Sequence, residues 1–123
     1  MFFNKRRQQD EDEIWRKIDE EDDLVIYLSY YVQSLKNRQE LRDFCGIFQA
    51  YKENAIAAEE ELGLQSGKKT NKLKKIELEM EELLDKLSAE AQQRKELLEE
   101  GNINFNELLS KIDEARNAIK ALE

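Results

Sequence analysis

Few residues in this chain are suited to chemistry, and their spacing argues against catalysis. There is no histidine among the 123 residues. That removes Ser-His-Asp and Cys-His nucleophilic centres, the Glu-x-x-His carboxylate di-iron pattern and nearly every zinc arrangement. Cys45 is the single cysteine. One thiolate cannot hold zinc, and Cys45 falls four residues from Leu41 and three from Phe48, on an apolar helical face. There a thiol behaves as a small hydrophobe rather than a nucleophile. With no second cysteine there is no intrachain disulfide, and a reducing compartment fits.

Gly63-Leu64-Gln65-Ser66-Gly67-Lys68-Lys69-Thr70 invites comparison with a phosphate-binding loop. That chemistry needs four residues between the glycines, a Lys followed directly by Ser or Thr, and a strand leading into the loop. Here three residues intervene, a second lysine separates Lys68 from Thr70, and a helical pattern precedes. The acid runs Asp10–Glu13 and Asp19–Asp23 lack the glycine and alternating oxygen ligands of a calcium loop. We therefore expect no enzyme, no cofactor and no metal.

What remains is binding. Tyr27, Tyr30, Tyr31 and Tyr51 form one candidate surface, because aromatic side chains are enriched at interface hot spots. The competing role for them, as for Phe48, is core. Lys68, Lys69, Lys72, Lys74 and Lys75 form a second candidate, a basic tip able to grip phosphates or an acidic protein. Residues 64–75 carry those five lysines and no acid, whereas residues 10–23 hold nine acids and two bases. A formal net charge of −8 disfavours a broad nucleic-acid surface.

The elements that must position these residues are helical. Charged residues make up 39% of the chain and hydrophobic ones 40%, with no proline. That is the composition of helical bundles and coiled coils. Leu41, Phe44, Phe48, Tyr51, Ala55, Ala58 and Leu62 recur at alternating intervals of three and four, a heptad seam. Leu73, Ile76, Met80, Leu83, Leu87, Ala91 and Leu98 offer a mate across a glycine-containing loop. Leu108, Ile112, Ala115, Ile119 and Leu122 repeat the spacing in a last helix.

The expected fold is all-α: an antiparallel helical hairpin or bundle of coiled-coil character with an aromatic N-terminal head. Nine of the ten aromatics lie in residues 1–51, and bulky rings suit a globular core better than a narrow seam. One helical domain is expected over 1–123. It comprises a basic arm (1–9), an aromatic helical half (10–62), a lysine-rich loop (63–71) and heptad helices (72–123).

Within it we expect a short helix over 10–21 and a helix over 24–36 buried nearly all round, since it is apolar nearly all round. A break near Lys36–Gln39 follows, because the stripe 24, 28, 31, 35 does not run in register into Leu41. Gly46 marks a kink or a close approach by another helix. Gly63 is expected to end its helix in the left-handed conformation, with Leu64 making the accompanying contact. Thr70 or Asn71 caps a long helix over 72–99 that Gly101 closes. Asn104 to Glu107 reads as a capping box flanked by an Ile103–Leu108 staple.

The longest apolar run, Leu24 to Leu28, is far too short to cross a bilayer. Phe2 and Phe3 beside Lys5, Arg6 and Arg7 allow a weak peripheral membrane contact at most, and no secretory pattern is visible. The expected role is a cytoplasmic, non-enzymatic module (adaptor, inhibitor or assembly chaperone) that binds protein through its helical faces and self-associates. The alternative is a small nucleic-acid-associated factor acting through the Lys68–Lys75 loop.

Overall fold

The structure, a computed structural model, describes residues 23–64 and 70–121, and every regular element among them is helical. In chain order these are α1 (Asp23–Leu35), a 3-10 turn (Gln39–Leu41), α2 (Arg42–Leu64), α3 (Asn71–Gln93), α4 (Lys95–Glu100) and α5 (Phe105–Ala121). The expected arm, the 10–21 helix and Leu122 lie outside the described residues. So do Phe2, Phe3, Lys5, Arg6, Arg7, Lys68 and Lys69.

The heptad seam starts at Leu41 in the 3-10 turn and runs on through α2. Leu41, Phe44, Phe48, Tyr51, Ala55 and Ala58 are all buried. At its far end Glu61 turns inward and Leu62 is only partly covered. The Glu61 carboxylate is held there by the Thr70 hydroxyl, which donates at 3.1 Å, and by Lys72 at 3.7 Å. A carboxylate tolerates such burial only when it is partnered.

α2 and α3 make the most extensive contact among the described elements. The stripe that α3 offers differs at one position from a strict heptad: Leu84 is fully buried and Leu83 only partly. A straight α-helix advances about 100° per residue, so a stripe centred on Leu73, Met80 and Ala91 places Leu84 about 20° off its centre and Leu83 about 80° off. The same geometry brings Glu77 to about 40°, and Glu77 is buried.

α5 packs on both α1 and α3. Asp23 and Tyr27 lie against Lys111, and Leu35 lies against Gly101, so α1 and α5 run in opposite directions. Arg116 joins α5 to α3 through Asp85 at 2.6 Å. Leu108, Ile112, Ala115 and Ile119 close one continuous core with the inner faces of α1, α2 and α3.

Breaks and caps show where local chemistry holds. Arg38 is extended (φ −101°, ψ 114°) and separates α1 from the 3-10 turn, which resolves the mismatch of stripes. Thr70 is the N-cap of α3, accepting from the Leu73 N–H at 3.1 Å. Asn104 accepts from the Glu107 N–H at 3.1 Å, with Ile103 and Leu108 both buried beside it.

Three expectations need correction. The 72–99 helix is interrupted at Arg94 (φ −118°, ψ 29°), where no Gly or Pro stands. The bend coincides with Arg94 turning back onto Glu90 at 2.6 Å and with α4 docking on the 3-10 turn. Gly63 lies within α2, which continues to an exposed Leu64, so the expected cap contact is not made. Gly101 closes α4 as its C-cap, as expected, and the left-handed residue is Asn102 (φ 68°), which follows it. The Ile103 N–H returns there to the Leu98 carbonyl at 3.1 Å. Gly46 marks no close approach by another helix: α2 continues through it, and a Cβ there would meet nothing within 4 Å.

Candidate interaction surface

α1 has the sequence DLVIYLSYYVQSL, in which Asp23 is the only charged residue. In a chain whose charged fraction is 39%, that neutrality is specific to this helix. Asp23 suits the first turn, where the backbone dipole favours negative charge. Leu24, Leu28 and Leu35 then turn into the core.

The expectation that α1 is buried nearly all round fails on its outer side. Asp23, Ile26, Tyr30 and Gln33 are all exposed, Ile26 at 49% and Tyr30 at 84%. They recur at intervals of three, four and three, a second stripe opposite the leucines. Neighbouring helices reach α1 from its inner side, and on this face Asp23 meets Lys111 of α5 while Ile26 and Tyr30 stand open to solvent.

Behind Tyr30 the aromatic rings brace one another. Tyr30 meets Tyr31 edge-to-face at 5.4 Å, and Tyr31 meets Tyr27 in the same manner at 5.2 Å. The Lys111 ammonium of α5 stands 5.5 Å from the Tyr27 ring centre and 3.7 Å from the Asp23 carboxylate. Burial first, then the nearby Glu107 carboxylate, push the Tyr27 hydroxyl above its ordinary pKa of 10.0; the Asn104 backbone pulls weakly the other way. That hydroxyl is shielded from solvent and makes no hydrogen bond of good geometry.

Of the four tyrosines expected at a surface, the structure brings Tyr27, Tyr30 and Tyr31 together on α1. Tyr51 stands apart in the core of α2, 1% exposed, beside Phe48. Ile26 and Lys111 belong to the α1 surface and were not among the expected residues. Ile26 was legible as part of the 23, 26, 30, 33 spacing. Lys111 was not, because only the docking of α5 carries it to Tyr27.

Of the expected basic tip, Lys72, Lys74 and Lys75 are among the described residues. Lys72 faces Glu61, while Lys74 and Lys75 point outward from the first turns of α3. Cys45 is buried, and burial raises its thiol pKa, partly offset by Lys36. Among the described residues no group of three or more His, Cys, Asp or Glu side chains is placed to hold a metal. No described helix is long and apolar enough to cross a membrane.

Among the described residues, fold and surface together define an all-α protein whose first helix turns Ile26 and Tyr30 outward between Asp23 and Gln33. The chain matches no protein-family model, no curated protein and no solved structure.

Proposed function

We propose that this chain is a non-enzymatic protein-interaction module that binds through helical faces, the outer stripe of α1 first among them. The single observation behind this reading is Ile26 and Tyr30, two large apolar side chains one turn apart and both open to solvent. Aromatic residues are favoured anchors at interfaces, where burying an exposed ring against a partner recovers its hydrophobic free energy. α2 and α3 form an antiparallel hairpin of coiled-coil character, α2 and α5 hold α1 in place, and the buried free thiol accords with a cytoplasmic setting.

The test is affinity capture from the source cell with the wild type and with an Ile26→Glu/Tyr30→Glu variant. Both positions are exposed, so the variant keeps its fold, which circular dichroism checks. Partners retained by the wild type and lost by the variant support the reading. An identical set of partners from both proteins sinks it.

A further inference from the structure

We draw no further inference here: the strongest candidate, the outer face of α1 on which Ile26 and Tyr30 are exposed, belongs to the surface already described, and nothing in the structure shows what covers it.

Discussion

Replacing Gly46 by alanine should make this protein more stable, although glycine in mid-helix ordinarily suggests a packing need. α2 passes through Gly46 without interruption, and an added Cβ would meet nothing within 4 Å. No packing is lost or gained, so the helix term stands alone. Alanine is favoured over glycine in a helix interior by about 0.8–1.0 kcal/mol, part of it through the unfolded chain's reduced freedom. For a chain of this size that corresponds to a rise in Tm of about 4 °C. Urea unfolding followed by circular dichroism should show the midpoint rising with an unchanged slope.

Gly101→Ala supplies the contrast. Its Cβ would come 3.0 Å from Leu35 Cδ2 and 3.4 Å from the Leu98 carbonyl oxygen. Leu35 is buried, so it must give way within a packed core, and the variant should lose about 1 kcal/mol. A Gly46→Ala variant less stable than wild type, or a Gly101→Ala variant more stable, would refute this account of α2 and of the Leu35–Gly101 contact.

Three further outcomes test the packing. Leu84→Ala should cost about 3 kcal/mol and Leu83→Ala well under half of that; equal losses in urea unfolding would reject the register assigned to α3. Thr70→Ala should cost about 1–2 kcal/mol, since it removes the α3 cap and a donor to Glu61, and hydrogen exchange should rise first in the opening turn of α3. Because the folded-state pKa of Tyr27 is raised, its contribution to stability is complete below the unfolded value of 10.0 and disappears as pH climbs through the folded value. Chemical denaturation between pH 9 and 11 should thus show a loss that Tyr27→Phe diminishes. At neutral pH Tyr27→Phe should be neutral or stabilising by up to about 1 kcal/mol, as it deletes a shielded, unbonded hydroxyl.

Interval and cap chemistry were enough to read the helices from residue order. The α2 seam from Leu41 to Ala58, the α5 stripe, the break after Leu35 and the caps at Thr70 and Asn104 are local patterns. Each depends on residues within one or two turns of one another, and the structure shows each of them. The absence of histidine and the lone cysteine likewise narrowed the chemistry before any fold was known.

Tertiary packing decided the rest. A repeat of 3.5 and a helix of 3.6 residues per turn diverge along the chain, so Leu84 rather than Leu83 faces inward only once α3 is laid straight against α2. The bend at Arg94 has no breaker in the sequence and accompanies the docking of α4. Leu24–Val32 reads as apolar all round, but a helix buries only the side that its neighbours reach. α2 and α5 approach α1 from the leucine side, leaving Ile26 and Tyr30 in solvent, and α5 brings Lys111 onto Tyr27. Composition made α1 conspicuous; which of its faces stayed uncovered depended on where distant helices came to rest.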